Sequence, residues 1–390
     1  TIDIGGPSML RAAAKNNKRV LAVSSPNQYK EVLKDLEAHN GETSLKLRRE
    51  YALKVFEKTL DFDTKILHAL SDRYEEDNNN YFSLNIKKEK NLRYGENPHQ
   101  NASIYYTNST IDYEILNGKE LSYNNILDAA ACANILSEFY DMSGCVIIKH
   151  NTPCGAALGK NIEEAWTKAL DCDPLSAFGG IVGFTQSVSN ELAKQLTSMF
   201  LEVIIAPDYS TEALETLKQK KNLRVIKLNT SLEEYKNYQS EEIRITPFGT
   251  LVQTTDKGEL DKDKFKVVTK AKPTTEQIED MIFAWKIAKH AKSNAIVIAK
   301  DFKVIGIGQG QTSRVDAFEI ALNKACDESK DAVAASDGFF PAIDNIHAAA
   351  QGRIAAIIQP GGSIKDEEVI KTADKYNIAM ITTGIRHFRH

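Results

Sequence analysis

Cys145-Val146-Ile147-Ile148-Lys149-His150-Asn151-Thr152-Pro153-Cys154-Gly155 is the stretch whose reading decides the fold. Four apolar, mostly β-branched residues predict a short buried strand, bounded by Gly144 before and a Pro/Gly turn after. A lysine and a histidine stand side by side at its end. Adjacent strand residues point to opposite faces, so Lys149 and His150 share a site only where the strand breaks into a loop. Pro153 predicts that break, because it biases Thr152 away from helix and cannot extend a ladder. Ligands of open α/β sheets gather at such strand ends. The plainer reading is a strand closed by two solvated polar residues, and the rest of the chain has to decide between them.

At 390 residues the chain is long for a single core, and two or three domains are expected. The net charge of −4, with Lys and Arg spread along the chain, leaves no nucleic-acid footprint. The longest apolar runs are too short to span a bilayer, and no signal peptide is visible. Five cysteines (Cys132, Cys145, Cys154, Cys172 and Cys326) make an odd count without a CxxC pair. That pattern predicts reduced thiols and a soluble cytoplasmic α/β protein. The chain starts at Thr1, inside what reads as a motif, as a fragment would.

Outward from the central stretch, Asp3-Ile4-Gly5-Gly6-Pro7-Ser8 runs into an Ala-rich helix, which places free N–H groups at a helix start where anions bind. Lys15 would lie two to three turns along it. Arg19–Val23 predicts a strand, Ser44 to about Leu70 a long helix, and the polar run Ser71 to Asn80 a linker. The loop Leu92-Arg93-Tyr94-Gly95-Glu96-Asn97-Pro98-His99-Gln100 carries a guanidinium suited to bidentate recognition of phosphate or carboxylate. Leu116-Asn117-Gly118-Lys119 reads as a hairpin-type turn, and an amphipathic helix follows from Ile126 to about Tyr140.

Beyond the central strand, Ile162–Leu170 reads as a helix. Asp173-Pro174-Leu175-Ser176-Ala177-Phe178-Gly179-Gly180 then lets backbone approach a ligand, with Phe178 free to stack on a ring. Leu201–Pro207 is a further buried strand with Glu202 at its start, and Tyr209–Lys272 reads as an insertion or a connection between halves, with strands near Leu223–Leu228 and Thr250–Thr254. The second half repeats the plan: a helix from Thr275 to Ala291, the stretch Ser293–Lys300, a second strand Lys303–Ile307, and Gly306-Ile307-Gly308-Gln309-Gly310-Gln311-Thr312-Ser313-Arg314. That run is not the dinucleotide fingerprint, because its third glycine comes one residue early and the acidic ribose ligand is missing. The helices holding Ala165 and Ala317, 152 residues apart, each continue to Ala-Leu and Cys-Asp, which points to a duplicated α/β unit.

The polar loops supply cations (Arg93, Lys149, Arg386), one base (His150), amides (Asn294, Asn345) and aromatic plates (Phe178, Phe339, Phe340, Phe388). That mixture suits a phosphorylated aromatic substrate and proton transfer near neutral pH. Zinc spacing, HExxH, GxSxG and a Walker lysine are all missing from the sequence.

LRYGENPHQ, VIIKHNTPCG, DPLSAFGGIVGF, SNAIVIAK, IGIGQGQTSR, SDGFFPAIDN and the C-terminal IRHFRH, in this order, closely resemble the bifunctional family that joins aminoimidazole carboxamide ribonucleotide (AICAR) transformylase to inosine monophosphate (IMP) cyclohydrolase. IDIGGPSMLRAAAKN resembles the end of that family's cyclohydrolase site. The resemblance implies formyl transfer from 10-formyltetrahydrofolate to the 5-amino group of AICAR. It implies a transformylase region of two zinc-free, cytidine-deaminase-like α/β subdomains (about 81–272 and 273–390), after a methylglyoxal-synthase-like cyclohydrolase remnant (1–80).

By position in the motifs, the resemblance makes His150 the base, working through the substrate carboxamide, Lys149 the group that stabilises the oxyanion or protonates the departing folate nitrogen, and Asn294 the amide that orients the transfer. It assigns AICAR to Arg93, Tyr94, Phe178, Gly179, Glu202, Arg386 and Phe388. Folate falls to Leu175, Phe339, Pro341, Asp344, Asn345 and Ser363. The resemblance also implies a homodimer with active sites at its interface, no zinc, and a structural potassium ion near Ser293 and Asp337. Ala295 stands where the family often has a second hydroxyl. Of the cyclohydrolase site only Asp3, Gly5, Gly6 and Lys15 remain, without the family's upstream lysine and tyrosine, so transformylase activity is expected and ring closure is not. The competing classes are a nucleotide- or folate-binding protein without turnover, which needs no base, and a deaminase-like hydrolase, which needs zinc ligands.

Overall fold

The computed structural model describes residues 2–74, 82–84, 86–107, 110–238 and 241–390. The chain divides into two compact units, residues 1–89 with 105–109, and residues 90–104 with 110–390. The first unit is helical, with α1 (Gly5–Lys15), α2 (Tyr29–Ala38) and α3 (Leu45–Tyr74). Two expectations fail there. Arg19–Val23 forms no strand, because no described strand of this unit lies beside it and the next N–H groups, of Ser24 and Ser25, are taken by the Gln28 side chain at 2.9 and 3.0 Å. The long helix also continues through Ser71–Tyr74, where a linker was expected. The remainder of that expected linker, residues 75–80, lies outside the described residues.

Next come β1 (Lys87–Leu92) and β2 (Ala102–Tyr106), a two-stranded ribbon. The second unit is built on a twelve-stranded sheet. Its first half comprises β3 (Tyr113–Asn117), α4 (Tyr123–Ser137), β4 (Gly144–Lys149), β5 (Thr152–Leu158), α5 (Ile162–Cys172), α6 (Pro174–Ala177), β6 (Ile181–Phe184), α7 (Asn190–Thr197), β7 (Val203–Ala206), α8 (Thr211–Lys218) and β8 (Arg224–Leu228). A short helix, α9 (Leu232–Asn237), and a separate hairpin, β9 (Glu241–Thr246) with β10 (Gly249–Thr254), lead to the second half. That half contains β11 (Lys266–Val267), α10 (Thr275–Ala288), β12 (Ile296–Lys300), β13 (Lys303–Gly308), α11 (Arg314–Ala325), β14 (Val333–Ser336), α12 (Asp344–Gln351), β15 (Ala356–Gln359), α13 (Asp366–Lys375) and β16 (Ala379–Thr382).

The strand order β3-β8-β7-β6-β4-β5-β13-β12-β14-β15-β16-β11 reads the same way from either edge toward the middle. Each half has a central hairpin (β4–β5, β12–β13), an antiparallel neighbour, two parallel strands beyond it, and a short antiparallel edge strand. The halves meet where Lys303 opposes Ala157 and the Leu158 N–H donates to the Phe302 carbonyl at 2.9 Å. The duplication expected from Ala165 and Ala317 therefore extends over both halves of this unit.

Period-two alternation decides the layers. Val146 and Ile148 face one core while Cys145 and Ile147 face another, and Val297 and Ala299 against Ile296 and Ile298 do the same in the second half. On the first face, α4 and α10 cover both halves with one continuous core that includes Leu136, Phe139, Phe283 and Trp285. On the other face each half has its own core, around Trp166, Phe184 and Leu192, or around Phe318, Phe340 and Ile346. The helices start where capping chemistry dictates. Ser122 and Asn125 form a capping box on α4, and Thr274 and Gln277, 152 residues later, form another on α10.

Three further expectations are corrected. Asn117-Gly118 ends an edge strand paired with β8 and leads into α4, so it makes no hairpin. Tyr209–Leu228 supplies α8 and the sheet strand β8, so that part is no insertion. Pro153 lies inside β5 opposite Ile148, next to a register shift, instead of breaking the strand. Its missing N–H costs little at a bulge, where ladder bonding is already interrupted.

Close helix–strand approach depends on glycine. A Cβ at Gly306 would stand 2.1 Å from the Ala321 carbonyl oxygen of α11, and one at Gly155 2.2 Å from that of Ala169 in α5. Gly306→Ala is expected to destabilise the second unit by about 2–3 kcal/mol, because backbone and not a flexible side chain must move. Urea unfolding measures this; an unchanged midpoint would show that α11 can lift from the sheet without loss.

Candidate active site

The central hairpin closes through a two-residue turn, with His150 at φ 53° and Asn151 at φ 62°. Two successive left-handed residues match the twist of the flanking strands, as in a type I′ hairpin. Asn accepts this conformation readily; His does so less often. The second half repeats the turn at Asp301 and Phe302, with φ of 52° and 55°. Acidic side chains hold both turns. Asp128 of α4 accepts the Asn151 N–H at 2.5 Å, and Asp280 of α10 accepts those of Asp301 and Phe302 at 2.9 and 2.7 Å. Burial lifts the Asp128 carboxyl above the usual carboxylate range, although the Asn151 N–H, His150 and Lys149 all favour its charged form.

Lys149 Nζ donates to the Phe178 carbonyl at 2.7 Å, and Lys300 repeats this with the Lys330 carbonyl at 2.9 Å. Gly179, at φ 66°, lies against that ammonium: a Cβ there would come within 3.2 Å of Nζ. Phe178 is 59 % exposed and packs on Phe200 with ring centroids 5.5 Å apart. Glu202 joins Arg224 at 2.8 Å and is reached by Asn125 Nδ2 at 3.5 Å. One end of the sheet thus gathers Lys149, His150, Phe178, Gly179 and Glu202.

Asn294 reaches the same hairpin through the loop after β13. The Thr152 hydroxyl donates to the Gln309 side-chain oxygen, whose amide donates to the Pro153 carbonyl at 3.0 Å. Gln311 Nε2 donates to the Gln309 carbonyl at 2.9 Å, and Asn294 Nδ2 donates to the carbonyls of Gln311 and Thr312 at 3.0 and 3.2 Å. Arg314 completes the chain: Nη2 donates to Asn294 Oδ1 at 2.8 Å, while Nη1 reaches Ser336 Oγ at 2.9 Å and the Asp337 carboxylate. Gln309, Gln311 and Arg314 were not singled out from the sequence. Their signal is the GIGQGQTSR run, read from the sequence for its glycines and as a family motif, with no role given to these three side chains.

The C-terminal segment crosses this cluster. The His387 N–H donates to the Asp337 carbonyl at 2.9 Å, Arg389 N–H to Ser293 Oγ at 3.1 Å, and Gly338 leaves room for Phe388. Arg386 stands over the Phe388 ring at 4.6 Å. Both Asp337 carboxylate oxygens are engaged, by Ser293 Oγ on one side and by Arg314 and the Ala295 N–H on the other. The positive charge beside them is the Arg314 guanidinium.

The remaining candidates stand apart in sequence. Arg93 is exposed and lies over the Tyr94 ring at 5.4 Å, in a loop tied by the Gly95 N–H to the Gln100 carbonyl at 2.8 Å. Of the expected folate residues, Leu175 is 87 % exposed on α6 in the first half. Phe339, Pro341, Asp344 and Asn345 lead from β14 into α12, and Ser363 follows β15. Asn345 is buried; its N–H and Nδ2 both donate to Asp344 Oδ1 at 2.8 Å, and its Oδ1 has no hydrogen-bond partner. In the first unit, Asp3 Oδ1 accepts the Gly6 N–H at 3.1 Å, so the anion at this helix start is Asp3 itself. Lys15 closes the opposite end of α1, roughly 15 Å along the axis from Gly5.

Burial pushes the Cys154 and Cys172 thiols up to about 12 and raises Cys132 and Cys145 as well, so none of these four is a ready thiolate nucleophile. Among the described residues there is no group of three or more His, Cys, Asp or Glu that could hold a metal ion. Nor is any helix among them long and apolar enough to cross a membrane.

Residues 13–324 match the family model described as AICARFT/IMPCHase bienzyme. The chain belongs to this bienzyme family. It is 48% identical over 397 residues to the bifunctional purine biosynthesis protein PurH of Caldicellulosiruptor saccharolyticus, covering 100% of this chain and 76% of that relative. The PurH proteins of Persephonella marina and Bacillus thuringiensis are 46% and 45% identical over 401 and 394 residues, with the same coverage. The mixed sheet with helices on both faces is thus the bienzyme family's α/β architecture in this chain.

Arg314 and Asp337 form the buried ion pair on which Asn294 rests, being 6 % and 1 % exposed. Arg314→Ala is expected to cost about 3–5 kcal/mol, since it strands a buried carboxylate. Denaturant unfolding measures the loss; a change below about 1 kcal/mol would mean that water enters and replaces the guanidinium.

Proposed function

We propose that this chain transfers a formyl group from 10-formyltetrahydrofolate to the 5-amino group of AICAR, in purine biosynthesis. The observation that carries this reading is the hydrogen-bonded path from the Lys149–His150 hairpin through Gln309 and Gln311 to Asn294. That path joins Lys149 and His150 of one half to Asn294 of the other, which supports their acting together as cation, base and orienting amide. A binding-only protein has no use for such a base.

In the proposed reaction the AICAR amine attacks the formyl carbon, the carbonyl oxygen takes up negative charge, and the bond from that carbon to the folate N10 then breaks. The arylamine is a weak nucleophile, so His150 removes its proton as the new C–N bond forms. Lys149 keeps two N–H donors beyond its bond to Phe178 and stabilises the oxyanion, and a proton returns to N10 as the folate departs. Asn294, fixed by Arg314, orients the formyl group. Arg93 and Arg386 hold the phosphate and ribose side of AICAR, beside Tyr94, while Phe178, Gly179, Glu202 and Phe388 surround the base. Folate lies along Leu175, Phe339, Pro341, Asp344, Asn345 and Ser363.

The exposure of Leu175 and Phe178 suits a site that a second copy of the chain completes, and a cytoplasmic homodimer is part of this reading. Ring closure to IMP is not assigned to Asp3, Gly5, Gly6 or Lys15, since Asp3 caps α1 and Lys15 stands at its far end.

The test follows tetrahydrofolate release from 10-formyltetrahydrofolate with AICAR, and IMP in the same sample. His150→Asn is the useful variant, because asparagine keeps the left-handed turn while removing the base. The expected result is a fall of about 100-fold or more in kcat with AICAR binding retained. AICAR binding by the unmodified chain without any folate turnover would sink the enzyme reading.

A further inference from the structure

We propose that Asp128 is a positioning residue for the His150 base; this rests on the transfer reading above. Asp128 and Asp280 stand 152 residues apart, on the equivalent helices α4 and α10, and each carboxylate accepts backbone N–H groups from a left-handed hairpin turn. In the second half that is a complete account of the residue. Asp280 takes both N–H groups of its turn, and the turn carries Asp301 and Phe302, neither of which a carboxylate attracts.

The first half differs in two respects. Asp128 takes only the Asn151 N–H, which belongs to the peptide joining His150 to Asn151, so it fixes the orientation of the residue carrying the imidazole. It also faces charge: His150 and Lys149 interact favourably with the carboxylate, and Glu202 unfavourably. A carboxylate near a histidine that accepts a proton favours the imidazolium as it forms, here through space while the Asn151 N–H holds the turn. The duplicated fold supplies the carboxylate in both halves, and only one half sets a titratable base against it.

Asp128→Asn keeps an acceptor for the Asn151 N–H and removes the charge. Asp280→Asn makes the same change at the duplicated position, where no chemistry is proposed. Steady-state formyl transfer and thermal unfolding are measured for both, with Asp128→Glu as the variant that retains the carboxylate. The expected result is a fall in kcat of about tenfold or more for Asp128→Asn, with KM for AICAR and for 10-formyltetrahydrofolate changed by less than about threefold. Asp128→Glu should recover part of that kcat, and Asp280→Asn should keep the unmodified kcat whatever its loss in Tm. The proposal is overturned if Asp128→Asn turns over like the unmodified chain, if its loss only matches that of Asp280→Asn, or if Asp128→Glu is no better than Asp128→Asn. An unmodified chain that binds AICAR without transfer fails the underlying reading before any variant is compared.

Discussion

The second unit depends on one meeting of strands, β5 beside β13. Each half has a central hairpin whose outer strand would otherwise face solvent, and the two close against each other at Ala157–Lys303 and Leu158–Phe302. Toward the turn that carries His150 the contact between the halves passes from ladder pairing to the Gln309 side chain, which binds both Thr152 and Pro153. A site shared by two halves therefore follows from how the sheet is joined: backbone holds the hairpins together at one end and side chains at the other.

The lysine at the end of each central strand shows how a fold feature becomes chemically available. Lys149 and Lys300 both hold a backbone carbonyl from the segment ahead of the next strand. In the second half the ammonium is followed by Asp301. In the first it is followed by a histidine and lies against Gly179, where the missing side chain leaves its remaining donors accessible. Position is inherited from the architecture, and the neighbours decide what the position does.

Much of this was legible in the sequence because it is local. The buried strand at Val146–Ile148, the helices after Ser122 and Thr274, and the 152-residue offset between Ala165 and Ala317 are written in alternation, capping residues and spacing. Pro153 misled because its rule concerns ladder bonds, and at a bulge the ladder is already interrupted. The strand expected at Arg19–Val23 had the right composition but no described partner, and strand formation is a property of pairs. The link from Thr152 to Gln309 joins residues 157 positions apart, beyond any local pattern. Asp128 was equally hidden, since an aspartate on an amphipathic helix reads as an ordinary solvated face until the hairpin is seen beneath it.

The mirror-like strand order also governs how the sheet meets other molecules. A twelve-stranded sheet made of two open halves would have four edges, each a template for unwanted strand addition. Joining the halves removes two of them. The two that remain end in β3, five residues long, and in β11, only two residues long and beginning with Lys266. The long apolar strands of the sheet are thereby kept from the rim, and the same duplication that built the site leaves only short edges for strand addition.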